Sequence, residues 1–168
     1  KISMNVGKVD IVKLLGQLLE EFYPSFADHH LTYELKSNVP AQIITADGNL
    51  LARLFDNLIN NAIKYGAAEQ PITVECAQQG KQAVLRVSNF GPGMTAEEIE
   101  HIFEPFYRTD KERSREMGSA GLGLSICMKI VREHGGTLSA QSVPGGETTF
   151  TAIFPLLRKE GADDEAEA

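Results

Sequence analysis

Residues 57–66 read Asn-Leu-Ile-Asn-Asn-Ala-Ile-Lys-Tyr-Gly, and the rest of the fold can be read outward from them. At about 100° per residue on a helix, Asn61 lies about 40° from Asn57 and Lys64 about 20° to its other side. One strip therefore presents two amides and one ammonium, with Tyr65 beside them. Leu51, Leu54, Phe55, Leu58, Ile59 and Ala62 fall on the other side as a core face. Asp47 is placed to cap this long helix, and Gly66 to end it. On pattern alone the strip could be a solvated polar face. Asn is a mediocre helix former, however, and Asn57, Asn60 and Asn61 crowd five positions, which points to a task other than solvation. Amide oxygens can ligate Mg²⁺ while a lysine meets phosphate charge.

Upstream, residues 1–6 are a short start with alternating apolar residues. Asp10 precedes a helical pattern carrying Leu14, Leu15, Leu18, Leu19 and Phe22, which is expected to close near Pro24. Leu31–Lys36 alternates as a half-buried strand, and Gln42–Thr45 reads as a short one. Downstream, Ile72–Ala77 and Ala83–Ser88 are β-rich runs joined through Gln79-Gly80-Lys81 as a hairpin. Thr95-Ala96-Glu97-Glu98 is a capping box. Helical periodicity resumes over Leu122–Val131, and Thr137–Ser142 and Thr148–Phe154 are strands around Pro144-Gly145-Gly146. About three substantial helices and six or seven strands, several in hairpins, predict an α+β fold. Its form is a two-layer sandwich with a mixed sheet and helices on one face.

Three further segments carry chemistry. Ser88-Asn89-Phe90-Gly91-Pro92-Gly93-Met94 follows a strand, and its glycines either make an ordinary Pro-Gly turn or let the backbone approach a ligand. Ile102-Phe103-Glu104-Pro105-Phe106-Tyr107-Arg108 is dense in aromatics. It reads first as core, with Arg108 placed to meet an anion. Gly118-Ser119-Ala120-Gly121-Leu122-Gly123-Leu124 runs into a helix, whose N-terminal N–H groups favour anions. Ile126 stands where a dinucleotide fingerprint needs its last glycine, and no Lys-Ser/Thr pair follows for a P-loop.

The 168 residues amount to about one domain. Sixteen basic and 23 acidic residues give a net charge of −7, which argues against broad nucleic-acid binding. The longest apolar runs fall far short of the roughly 20 residues of a membrane span. Cys76 and Cys127 have no metal-ligand spacing and fit a reducing, cytoplasmic setting. The acidic tail, residues 158–168, is expected to be disordered.

The four motifs, in this order, resemble those of the catalytic, ATP-binding domain of sensor histidine kinases, which shares a superfamily with DNA gyrase, MutL and certain heat-shock chaperones. NLINNAIKYG resembles the N box, NFGPGM and GSAGLGL the two glycine boxes, and IFEPFYR the F box. The resemblance spans residues 9–157 and implies the Bergerat ATP-binding fold. It also implies that Asn57 and Asn61 hold Mg²⁺, that Lys64 faces phosphates and that Tyr65 sits near the ribose or adenine edge. Gly91 and Gly93 would pass close to the base. Arg108 and Arg113 would stabilise the γ-phosphate, and residues 109–120 would form a lid. Gly118, Gly121, Leu122, Gly123 and Leu124 would close around the phosphates of ATP, or of ADP as product. Phe103 and Phe106 would be partly core and partly a docking surface for acceptor helices. One departure stands out: the first glycine box usually opens with Asp, which accepts from the adenine amine, and here it opens with Asn89. An amide can still accept, but it lacks the charge and adds an NH₂ that needs its own partner.

The gyrase-like ATPases of the superfamily carry a Glu base where Asn57 stands, and an amide cannot take up a proton. Asp56 points about 100° away on the helix. The chain thus reads as built to hold ATP for another nucleophile. None of His29, His30, His101 and His134 sits in a phospho-acceptor motif; His29 and His30 fall in a loop, His101 in a capped helix, and His134 at a helix end where it would favour the dipole. Residues 1–8 then read as the end of a linker from a missing dimerisation and acceptor domain. The fragment is expected to be monomeric, to make no direct membrane contact, to lack autophosphorylation, and to belong to the cytoplasmic part of a membrane-bound kinase that serves a response regulator. The alternatives are a degenerate nucleotide-binding regulatory module and a serine kinase of the anti-sigma-factor type.

Overall fold

Two aspartates set the helical layer. The computed structural model describes residues 3–109 and 123–156. Strand β1 (Gly7–Asp10) ends on Asp10, whose carboxylate accepts from the N–H groups of Val12 and Lys13 and opens α1 (Ile11–Glu21). The helix closes near Pro24 as expected, but a second one follows at once. Helix α1 ends at Glu21, and Pro24 lies in the first turn of a second helix, α2 (Tyr23–Asp28). A first turn has no use for the N–H that proline lacks, so the residue is tolerated there. After β2 (Thr32–Ser37) and β3 (Ile43–Ala46), Asp47 accepts from Asn49 and Leu50 and opens α3 (Gly48–Tyr65), with Gly66 at its far end as expected. The chain continues through β4 (Pro71–Gln79), β5 (Gln82–Phe90), α4 (Ala96–His101), α5 (Gly123–Glu133), β6 (Thr137–Ser142) and β7 (Glu147–Pro155). Thr95 and Glu98 form the expected reciprocal cap on α4.

The main sheet has the order β2-β4-β5-β7-β6. Strands β2 and β4 run parallel and every other pair is antiparallel. Alternation sends Ile72, Val74 and Cys76 of β4 to the helical side, with Ala83, Leu85 and Val87 of β5 and Phe150, Ala152 and Phe154 of β7, and all are buried. Against them α3 lays Leu51, Leu54, Phe55, Leu58, Ile59, Ala62 and Ile63, flanked by α1 and by Cys127, Ile130 and Val131 of α5. Each fully buried Leu or Ile contributes about 1.5–3 kcal/mol, so this face supplies the main drive for folding. The opposite face carries polar cross-strand pairs: Arg86 to Glu75 at 2.8 Å, and Ser88 to Thr149 at 2.8 Å. This is the two-layer α+β sandwich expected from the sequence.

Two features lie beyond the sequence reading. Strand β1 pairs antiparallel with β3 as a separate two-stranded sheet. And His134, at the end of α5, does not act as a cation on the helix dipole. Its Nε2 accepts from the Asp47 N–H at 3.0 Å while its Nδ1 lies 2.7 Å from the carbonyl of Ile130. A ring that accepts at Nε2 and donates at Nδ1 is the neutral tautomer. His134 thus clasps α5 to the start of α3.

Candidate functional site

The polar strip of α3 lies along one side of a cleft. Asn57 and Asn61 are half-buried, whereas Asn60 is exposed. The Oδ1 of Asn57 lies 3.6 Å from where a side-chain carbon on Gly123 would stand, so the first turn of α5 abuts this amide. Lys64 holds its ammonium 5.3 Å from the centroid of the Tyr65 ring. Asp56 is exposed. Partial burial and then the charge of Glu21 on α1 push its carboxyl up.

The loop after β5 is drawn tightly against the end of α3. A side-chain carbon on Gly91 would meet the Tyr65 carbonyl oxygen at 2.2 Å, which no larger residue can tolerate. Gly93 has φ +71° and its backbone passes Val143, where an added carbon would be 2.5 Å from the carbonyl oxygen. Backbone bonds from Gly91 to Gly146 (3.1 Å) and from Gly145 to Pro92 (2.8 Å) tie the loop to the β6–β7 turn. The Met94 N–H donates to Ser142 Oγ at 2.9 Å, and that hydroxyl is 2.7 Å from Thr148 Oγ1.

Between these elements lies a cleft. Met94, Ile102, Leu124 and Phe150 give it apolar walls, and Asn61, Tyr65, Asn89, Thr109 and Thr148 supply its polar groups. Phe103, on the F-box segment, packs edge-on against Phe150 at 6.2 Å, while Phe106 is 70% exposed. Asn89 and Thr148 are register partners at the ends of the inward-facing rows of β5 and β7, where the apolar row gives way to polar side chains. Asn89 is only 4% exposed, and its amide hydrogen-bonds to no described residue.

Of the residues expected from the sequence, Asn61, Tyr65, Asn89, Gly93 and Leu124 line the cleft. Asn57, Gly91 and Gly123 back it, through the contacts given above. Lys64 lies over Tyr65, and Arg108 is half-buried beside Thr109, outside the lining. Arg113, Gly118, Gly121 and Leu122, most of the expected lid and the acidic tail lie outside the described residues. The sequence reading did not single out Thr148 or Phe150. The signal for Thr148 was present: it heads the inward alternation Thr148, Phe150, Ala152, Phe154.

Residues 46–158 match the family described as histidine kinase-, DNA gyrase B-, and HSP90-like ATPase, and the chain belongs to that family. Within it, the domain is of the catalytic ATP-binding type found in sensor histidine kinases. Sensor protein CutS of Streptomyces coelicolor is 35% identical over 149 residues, which cover 88% of this chain and 36% of CutS. Signal transduction histidine-protein kinase BaeS of Escherichia coli is 33% identical over 158 residues, covering 94% of this chain and 33% of BaeS. The chain thus spans about a third of the length of these curated relatives. Among solved structures, the catalytic domain of histidine kinase ThkA superposes with a TM-score of 0.81 at 25% identity, covering 92% of this chain and all of that one. Full-length ShkA in complex with AMPPNP superposes with a TM-score of 0.83 at 26% identity, covering 94% of this chain and 32% of ShkA.

Proposed function

We propose that this chain positions Mg-ATP for transfer of the γ-phosphoryl group to a histidine on a separate dimerisation and acceptor domain, the catalytic step of a protein histidine kinase. The observation that carries the reading is Asn89, a buried amide with no described partner, which faces an apolar-walled cleft opposite the amide strip of α3. An amide left open to the cleft in this way can hydrogen-bond the edge of a purine base.

The donor set fits a magnesium nucleotide. Asn57 and Asn61 offer two neutral oxygens one helical turn apart, which suits a hard cation that keeps phosphate and water among its ligands. Among the described residues no group of three His, Cys, Asp or Glu side chains could hold a metal ion, so the cation would come with the nucleotide. When bound, Mg²⁺ neutralises charge developing on the phosphates.

The chain's own residues do the rest. Asn57 and Asn61 hold the cation, and Lys64 adds positive charge at the phosphate end. Tyr65, Asn89, Gly91 and Gly93 receive the nucleoside. Gly123 and Leu124, with Gly118, Gly121 and Leu122 of the same glycine box, would offer backbone N–H groups to the phosphates, and Arg108 and Arg113 would stabilise the transferring group. The acceptor imidazole forms an N–P bond as the bond from the γ-phosphorus to its bridging oxygen breaks, and ADP leaves with that electron pair. The imidazole proton passes to solvent. Water is a poor rival at position 57, because an amide there cannot take up its proton.

In this reading the exposed Phe106 meets the acceptor helices, and the phosphoryl group passes on to a response regulator. The domain is a monomer by itself and the cytoplasmic part of a membrane-bound sensor. Among the described residues no helix is long and apolar enough to cross a membrane. The test is calorimetric titration of ADP and a non-hydrolysable ATP analogue, with and without Mg²⁺, on wild type and Asn61→Ala, then transfer from ATP to a supplied acceptor domain. Binding should strengthen with Mg²⁺ and weaken about tenfold or more in the variant, a loss of about 1.4 kcal/mol. No binding of either nucleotide at millimolar concentration would sink the reading.

A further inference from the structure

We propose that the base end of the cleft accepts 6-oxopurine nucleotides as well as 6-aminopurine ones, and that Asn89 is the residue that permits both. The inference rests on the nucleotide reading above and concerns its specificity.

A 6-aminopurine presents a donor at C6 beside an acceptor at N1, and a 6-oxopurine presents the reverse. A carboxylate can only accept, so it answers the first and repels the second. A side-chain amide carries an acceptor and a donor on nearly superimposable arms. Which arm points into a site is decided by the hydrogen bonds that pin the amide, and Asn89 makes none with any described residue. Half a turn about its terminal torsion exchanges Oδ1 for Nδ2 without breaking a bond to the protein.

Thr148, its register partner across β5 and β7, has the same ambivalence. Ser142 Oγ accepts from the Met94 N–H, and of the two hydroxyl protons of Ser142 and Thr148 one lies in the contact between them, which either hydroxyl can donate. If Ser142 donates, Thr148 keeps a proton for the ligand. If Thr148 donates, it offers only lone pairs. The two neutral groups at the floor can therefore switch polarity together. No charged side chain lines the cleft among the described residues, so none there is confined to one hydrogen-bonding role by its charge.

The test compares ADP with IDP, both with Mg²⁺, on wild type and Asn89→Asp by titration calorimetry. Hypoxanthine lacks the 2-amino group of guanine, so IDP reports on the C6 position alone. The wild type should bind IDP within about thirtyfold of ADP, and Asn89→Asp should widen that ratio at least about tenfold by rejecting the carbonyl edge. A wild-type ratio beyond about thirtyfold, or a ratio that Asn89→Asp does not widen, overturns the proposal while leaving the ATP reading intact. Binding of neither nucleotide removes the ATP reading and this inference with it. Should the variant not fold, the wild-type ratio decides.

Discussion

The two ends of α3 are built on opposite terms. At its start Asp47 is fully committed: Oδ1 accepts from Asn49 and Leu50 at 3.0 and 3.1 Å, Oδ2 accepts from Asn5 at 2.8 Å, and its own N–H donates to His134 at 3.0 Å. At the other end, Asn61 and Tyr65 open onto the cleft, and Asn89 across from them meets no described partner. A polar group that the fold itself satisfies is architecture. One left open to a cleft is available to a ligand. The same helix thus anchors the domain at one end and offers a ligand site at the other.

The most disruptive way to break the comparison is to hollow the helix between its ends. Leu54 is fully buried, and Leu54→Ala should cost about 2–5 kcal/mol, lowering Tm by roughly 10 °C in thermal unfolding. Gly91→Ala acts at the open end. Its new methyl would collide with the Tyr65 carbonyl, so a loss of about 2–3 kcal/mol should come together with loss of nucleotide binding. His134→Ala acts at the closed end and sharpens the contrast: it orphans the Asp47 N–H, for about 1–2 kcal/mol in denaturant titration, while nucleotide affinity stays within a fewfold of wild type. Affinity lost in step with stability in His134→Ala would mean the two ends are not separable.

The smallest effect is the acid limb of stability. The Asn5 N–H, then that of Leu50, hold the Asp47 carboxyl below the usual carboxylate range. A lowered folded value means that its stabilisation is complete above the unfolded value and disappears as pH falls through the folded one. Asp47→Asn should therefore lower Tm at neutral pH, with the gap to wild type closing as pH falls through the folded Asp47 value, as a Tm-against-pH curve would show.

Local chemistry was legible in the sequence and pairing across distance was not. Asp47, the Thr95–Glu98 box and the core stripe of α3 act within a few residues of themselves, so their spacing announces them. The Asn89 position was legible as an oddity within its motif. Its pairing with Thr148 depends on the β5–β7 register, which exists only once the sheet has formed. Strand β1 has little alternation of its own and is a strand because β3 offers it an edge. Pro24 satisfies the rule for ending one helix and for starting another, and the segment alone does not choose between them. His134 gives no hint in sequence that an N–H from the start of α3 will fix its tautomer.

The parallel β2–β4 pair has a consequence for the order in which the chain assembles. Hairpins β4–β5 and β6–β7 join neighbouring segments and can close within about microseconds. Strand β2 pairs with β4 only after β3 and the whole of α3 have crossed over between them. That contact carries the larger loop-closure penalty and comes late. The edge that β2 covers is consequently the last part of the sheet to be sealed, and a nascent chain is most open to wrong strand partners along β4.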